Sequence, residues 1–257
     1  MKLDYTTAIG FLVCIILIIV AIYEGGSLES FIQVSSILIT VGGSICAVVV
    51  CFPIDVLSNV ISMTKNAFFF KQRDPQEILR KLQEMSNRAR REGTLALEDF
   101  IDTLDDDFFA RGVQLVVDGH EPSAIEDILY NEIEKIKERH QTGVDLWEAF
   151  ALLSPAFGMI GTLIGLVNML GNLSSDMGAL GPNMATALLT TLYGSLMANI
   201  FALPLSKKLK FRSNEEAIEK ELIAQGLLSI LVRESPRFLV ERLNAQLAPS
   251  RRLEQIS

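Results

Sequence analysis

The sequence predicts an all-α, polytopic membrane protein with four transmembrane helices and a mostly helical cytoplasmic domain. Three observations predict it. The 257 residues are 49% hydrophobic and 21% charged, and the mean hydropathy is +0.34. The apolar residues gather in four long runs with the charges between them, as in a chain that crosses a bilayer repeatedly. Lys and Arg are missing from two of the connections and concentrated in the other segments, which assigns those segments to the cytoplasm.

The first run, 5–23, is built on Phe11-Leu12-Val13-Cys14-Ile15-Ile16-Leu17. Lys2 ahead of the stretch from Ala8 to Ile22 resembles a secretory leader. Tyr23-Glu24-Gly25-Gly26 offers no small-x-small cleavage site, however, and a second apolar run follows at once, so the segment reads as a retained helix. The second span is 31–52, with Gly42-Gly43 near its middle, the third is 147–170 and the fourth is 184–205. Each is close to the ~20 residues that cross ~30 Å of hydrocarbon. No Lys, Arg, Asp or Glu interrupts their cores, and Glu148 lies only where the third begins.

The chain thus divides into spans one and two (1–52), a cytoplasmic segment (53–146), spans three and four (147–205) and a cytoplasmic helix and tail (206–257). The connections 24–30 and 171–183 hold no Lys or Arg, whereas 53–146 holds twelve and 206–257 holds ten. Both termini are therefore expected inside and the two short loops outside.

The cytoplasmic segments carry helical signals. Asp74-Pro75 opens a helix with proline at its first position, and Leu79, Leu82, Met85 and Ala89 follow at helical spacing. Gly93 interrupts it, ahead of Leu95, Leu97 and the acidic pair Glu98-Asp99. Ser123-Ala124-Ile125-Glu126 reads as a capping box after Pro122, opening a helix with Ile125, Ile128, Leu129, Ile133 and Ile136 on one side. Glu215 to Val232 is a further amphipathic helix, with Ile218, Leu222, Ile223 and Leu228, that Pro236 is expected to end; residues 248–257 read as a frayed tail.

Several function classes fall away. A net charge of −8 argues against nucleic acid as a partner. Cys14, Cys46 and Cys51 cannot pair completely and sit in or beside apolar runs. With His120 and His140 twenty residues apart, no permanently bound metal is expected. No nucleophile–base pair marks an enzyme, no cofactor is implied, and Gly158-x-x-Gly161-x-x-x-Gly165 suits helix packing better than a nucleotide.

The third and fourth spans carry the chemistry. Ser154, Gly158, Gly161 and Gly165 supply small residues at three- and four-residue intervals, which lets helix backbones approach closely in lipid. Pro155 removes a backbone donor and can kink its helix. Thr162 lies seven residues beyond it, on nearly the same face. Thr186 and Thr190 share a face of the fourth span, and Pro204 lies fourteen residues past Thr190. A threonine in a membrane helix commonly bonds its own i−4 carbonyl and does nothing more, and that reading stands beside a functional one. Hydroxyl and freed carbonyl oxygens are hard ligands suited to sodium or to water carrying a proton. No carboxylate lies within the cores of the spans, so a conducting chain of this kind needs another polypeptide to bring the acid.

At these residues the sequence resembles the A subunit of the flagellar motor stator, the MotA/PomA family. The resemblance runs through Ser36 to Ser44, Leu95-Ala96-Leu97-Glu98, Val117-Asp118-Gly119-His120, Glu138-Arg139-His140, Pro155 to Gly165 and Ala187 to Gly194, in order along the chain. The sodium-type PomA branch looks closest, with threonines like Thr162 and the pair Thr190-Thr191. The resemblance implies a ring of five copies around a dimer of a B subunit that carries the membrane aspartate and a peptidoglycan-binding domain. Ion flow would turn the ring and push on the rotor's switch protein. It implies that Thr162, Thr190 and Thr191 line the ion path, that Pro155 and Pro204 couple ion binding to movement, and that Arg90, Arg91, Glu98 and Asp99 meet the rotor. Gln33 departs from the pattern, because the sodium branch has an acidic residue there; Glu29, four residues earlier, is a candidate substitute.

The charged group has an ordinary reading as well, as a solvated face whose exposed pairs contribute ~0–1 kcal/mol. Asp105-Asp106-Asp107 reads as solvated. Three rival functions remain at this stage: a proton-driven stator, an ExbB/TolQ-like energy-transducing subunit, and a membrane scaffold without ion flow. Four spans and the Leu95–Asp99 group favour the stator.

Overall fold

The computed structural model describes residues 2–3, 5–70, 74–173 and 177–253. Lys71 and Arg73 of the middle segment, residues 174–176 of the second short loop and the end of the tail, 254–257, lie outside the described residues. Among those described, four helices are long and apolar enough to cross a membrane: Tyr5–Gly25, Leu28–Cys51, Pro122–Asn172 and Met177–Leu231.

The second of these is composite. Leu28–Phe31 is a 3-10 turn whose cap, Ser27, accepts the Glu29 N–H at 3.3 Å. Helical turns follow over Val34–Ile37, a π-helical stretch over Leu38–Gly42, and an α-helix over Gly43–Cys51. The third and fourth helices run well past the expected spans. Residues 147–170 and the helix expected from Ser123 are one uninterrupted element, and 184–205 continues into the helix expected from Glu215, with a π-helical stretch at Met197–Ala202.

Three local expectations change. The third helix begins at Pro122, and the Glu121 carbonyl accepts from the Ile125 N–H at 3.1 Å. Ser123 therefore lies inside the first turn and is not its cap, because proline at the first helical position needs no donor partner. Pro155 does not interrupt the helix that contains it. Pro236 starts an element and does not end one. The preceding helix stops at Leu231, the chain turns through Arg233 at φ 55, and Ser235 caps Pro236–Asn244 by accepting from the Phe238 N–H at 3.3 Å. Within the tail, Pro249–Arg251 forms a 3-10 turn.

The chain forms two compact units, residues 1–70 with 140–212 and residues 71–139 with 213–257. The first, here the span unit, contains all of the first two long helices. It also holds the helix Val60–Phe68, which packs Ala67 against Val144, Leu205 and Leu209, while Trp147 donates to the Thr64 hydroxyl at 3.1 Å. Its two short strands pair antiparallel, Lys2 with Phe70 and Leu3 with Phe69.

The second, the charged unit, has a continuous apolar core. Leu79, Leu82 and Met85 from Pro75–Glu92 meet Phe108, Val113, Leu129, Leu222, Leu227 and Leu243. Asp74 caps the first of these helices by accepting from the Gln76 N–H at 3.0 Å, with Pro75 at its first position. The periodicity places Ile125, Leu129 and Ile133 inside, while Ile128 and Ile218, counted on the same stripes, are exposed.

Candidate functional site

Glycine determines how closely the third and fourth spans pack. A Cβ on Gly158 would lie 2.8 Å from the Thr190 carbonyl oxygen and 3.2 Å from Thr191 Cα. One on Gly165 would lie 2.8 Å from both the Ala187 nitrogen and the Asn183 carbonyl oxygen. One on Gly194 would lie 3.1 Å from Pro155 Cα, and Gly161 faces the Thr190 side chain. Here backbone meets backbone with no room for a methyl, which is how helices associate where lipid supplies no hydrophobic drive. Ser154 is fully buried and donates to the Phe150 carbonyl at 2.7 Å.

The three threonines occupy different surroundings. Thr190 is fully buried, its hydroxyl 3.0 Å from the carbonyls of both Thr186 and Ala187. Thr191 is exposed and donates to the Ala187 carbonyl at 3.4 Å. Thr162, partly exposed, donates to the Met159 carbonyl at 2.6 Å. Each proton goes to the hydroxyl's own helix. A hydroxyl that has donated its proton still presents lone pairs, so self-bonding and cation contact are compatible in one side chain. Gly158 brings the third span against the backbone of Thr190 and Thr191, and Gly161, beside Thr162, packs on the Thr190 side chain.

The prolines sit next to this contact. Pro155 faces Gly194. Without a proline N–H, the carbonyl four residues earlier loses its α-helical donor; for Pro155 that is Ala151 and for Pro204 it is Ile200. Ile200 lies within the π-helical stretch Met197–Ala202, the wider turn often found where a helix ladder is interrupted.

A second polar seam escaped the sequence reading. Gln33 donates through Nε2 to Thr186 Oγ1 at 2.7 Å and accepts from Ser36 Oγ at 2.9 Å. Ser36 lies 3.4 Å from the Thr186 carbonyl, and Thr40 donates to the Thr190 carbonyl at 3.3 Å. The Tyr193 hydroxyl accepts the Gln33 N–H at 3.2 Å and donates to the Phe31 carbonyl. Ser36, Thr40 and Ser44 are all fully buried, and their four-residue spacing was the available signal.

In the charged unit, Arg90 and Arg91 are exposed in the last turn of Pro75–Glu92, and Glu98 and Asp99 are exposed at the start of Glu98–Ile101. Gly93, at φ 89, makes the turn between the two elements, and Leu97 anchors it in the core. Leu95 is 70% exposed beside it. Arg88 organises the group, 3.2 Å from Glu92, 2.5 Å from Asp99 and 5.6 Å from the centre of the Phe100 ring. Its hydrogen bond to Glu92 and the charge of Asp99 raise its pKa. Asp106 belongs elsewhere, as its carboxylate caps Asp107–Val117, accepting from the Phe108 N–H at 3.1 Å and lying 3.7 Å from Lys220 Nζ. Among the described residues no group of three or more His, Cys, Asp or Glu side chains could hold a metal.

Comparison with known proteins follows this geometry. The family described as the MotA/TolQ/ExbB proton channel family matches residues 100–222. Chemotaxis protein PomA of Vibrio alginolyticus is 38% identical over 99% of this chain and 99% of its own length. Motility protein A of Borreliella burgdorferi is 43% identical over 86% of this chain and 85% of its own. The likeness is thus to both branches and does not single out PomA. The solved flagellar MotAB stator complex from Bacillus subtilis has a chain that superposes with a TM-score of 0.88 at 30% identity, covering 96% of this chain and 97% of that one. With four long apolar helices and near full-length relatives at these identities, the chain belongs to the MotA/PomA family of flagellar stator A subunits, ion-conducting multi-pass proteins of the inner membrane that are not enzymes.

Proposed function

We propose that the coupling ion is sodium, and that Thr162, Thr190 and Thr191 form one wall of its path. The observation that carries this reading is the packing of Gly158 and Gly161 against the turn that holds Thr190 and Thr191. It puts hydroxyl and carbonyl oxygens, hard ligands for a small cation, on adjoining helices. The opposite wall and its acid come from a partner, because the cores of the spans hold no carboxylate. That partner is a B subunit, as the name of the Bacillus subtilis stator complex suggests, with a membrane aspartate and a peptidoglycan-binding domain. Several copies of the chain, five by family resemblance, surround a B dimer, with both termini and the charged unit in the cytoplasm.

A monovalent cation moving down 100 mV releases ~2.3 kcal/mol. That energy biases the ring between positions when neutralising the partner's aspartate changes its fit. Pro155 and Pro204 flank the wall and transmit the change. Arg90, Arg91, Glu98 and Asp99 deliver it to the rotor's switch protein.

Swimming speed against external sodium at fixed pH tests the ion. A saturating rise with sodium supports the reading, and a speed flat in sodium but steep in external pH makes this a proton-driven stator. Thr162→Ala and Thr191→Ala are expected to lower motility while leaving the protein in the membrane. Normal swimming by both would remove them from the path.

A further inference from the structure

We propose that Gln33 and Tyr193 are positioning residues, locking the second span to the turn of the fourth that carries the threonines and so holding the ion path in its conducting geometry. The inference rests on the stator reading above and adds two residues that lie outside the hydroxyl wall.

The need for such a lock comes from the second span's own backbone. Between the 3-10 turn Leu28–Phe31 and the helix Val34–Ile37, Gln33 is extended, at φ −132 and ψ 117. The break interrupts the helical ladder at the outer end of the span and leaves peptide groups that need other partners. The Tyr193 phenol meets two of them at once, donating to the Phe31 carbonyl and accepting the Gln33 N–H at 3.2 Å.

The Gln33 side chain continues the lock, and both ends of its amide are used. Its Nε2 donates to Thr186 Oγ1 at 2.7 Å while its Oε1 accepts from Ser36 Oγ at 2.9 Å. Thr186 is held from three sides. Its hydroxyl also donates to the Pro182 carbonyl at 3.0 Å, and its carbonyl is reached by Ser36 at 3.4 Å and by Thr190 Oγ1 at 3.0 Å. One turn further, Thr40 holds the Thr190 carbonyl at 3.3 Å. The second span therefore grips the carbonyls on which the buried threonine of the proposed wall depends.

The bridge as built uses the amide at position 33 as donor and acceptor at once. An ionised carboxylate is an acceptor only. It could receive Ser36, but it would hold Thr186 only if that hydroxyl gave up its bond to the Pro182 carbonyl. Glutamine here is a bridge between two helices, a job that an acid attracting cations would not do.

If the lock holds the conducting geometry, loosening it lowers the fraction of time spent there, and apparent cation affinity falls by that fraction. Interhelical hydrogen bonds in membranes are worth about three-fold on average and at most about twenty-fold. Single-motor speed is measured against the driving cation in cells carrying the full chain with its B partner. Gln33→Met, Thr186→Val and Tyr193→Phe should each raise the half-saturating concentration, by up to about three-fold for each average bond lost, and leave the saturating speed unchanged. The Gln33→Met/Thr186→Val double variant should fall short of the combined effect of the two single ones, since both remove the bond between them. Gln33→Glu at pH 8 should resemble Gln33→Met.

Unchanged half-saturation in Thr186→Val and Tyr193→Phe, each a single lost hydroxyl, would overturn the proposal even if Gln33→Met failed to accumulate. So would a fall in saturating speed alone, independent effects in the double variant, or a lower half-saturating concentration in Gln33→Glu. These results leave the stator reading intact. A wild-type chain that turns no motor overturns that reading and this one with it.

Discussion

The two compact units are packed by opposite chemistry. In the span unit the fully buried polar side chains are Ser36, Thr40, Ser44, Ser154, Thr190 and Ser206, while large apolar ones point outward, Leu17 at 63% and Val50 at 87% exposure. In the charged unit the fully buried positions are mostly apolar, Leu79, Leu82, Met85, Leu97, Leu129, Leu222 and Leu227 among them, with Ser229 the one polar side chain without any exposure among the unit's described residues. Water makes burial of leucine favourable in the second case. Lipid tails are as apolar as leucine, so in the first case association falls to close backbone contact and to hydrogen bonds. Glycine shows the contrast within one chain. A Cβ on Gly158 would meet backbone, whereas one on Gly226 would meet the flexible end of Leu82.

That contrast breaks most readily in the charged unit. Leu82→Ala removes a side chain with no exposure, touching the turn around Gly226. It should cost about 2–5 kcal/mol, seen as an early thermal transition and lost amide protection over Pro75–Glu92. Protection close to wild type would mean that the unit is not held by this core. In the span unit, Gly158→Ala adds one methyl and should cost about 1–3 kcal/mol, because the Thr190 carbonyl and Thr191 Cα must move. The expected readout is a less stable complex in detergent with motility reduced. Gly226→Ala should be milder, since Leu82 can change rotamer; equal penalties for the two would erase the distinction drawn here. Thr40→Val, which removes a single interhelical bond to the Thr190 carbonyl, should cost about 0.6 kcal/mol, measurable in the same detergent melt.

The same difference in chemistry explains what the sequence disclosed. Apolar run length revealed four spans, because it is a one-dimensional signal. The glycine stripe of the third span was visible by spacing, but that it packs on the turn around Thr190 was not. Leu79, Leu82 and Met85 were legible as a core stripe, but Ile128 and Ile218 were not separable from theirs, since a stripe's edge is set by what packs beside it. Helix ends were read less well. Pro122 and Pro236 both begin helices, and the residue before each decides that. The bonds of Gln33 to Tyr193 and Thr186 were missed because they join positions 160 and 153 residues apart, which no local pattern encodes.

The smallest effect is expected at the exposed tip of the charged unit, where neither core packing nor lipid acts. Arg88 reaches Glu92 at 3.2 Å and Asp99 at 2.5 Å, with all three side chains more than a third exposed. Water and salt screen such pairs, so Arg88→Gln should leave thermal stability unchanged within error. What it should alter is order. Asp99 loses its tether and Phe100 its cation, so amide exchange should quicken across Glu98–Ile101. The arginine pKa is raised, chiefly by the Glu92 hydrogen bond, so its contribution is fully present below its unfolded value and is lost only as pH rises through the higher folded one. A titration from about pH 6 to 9 should therefore not reproduce the substitution through the guanidinium, which stays charged throughout, whereas added salt should. If exchange at the tip responded to that pH window but not to ionic strength, the order of Asp99 would have to come from something other than Arg88.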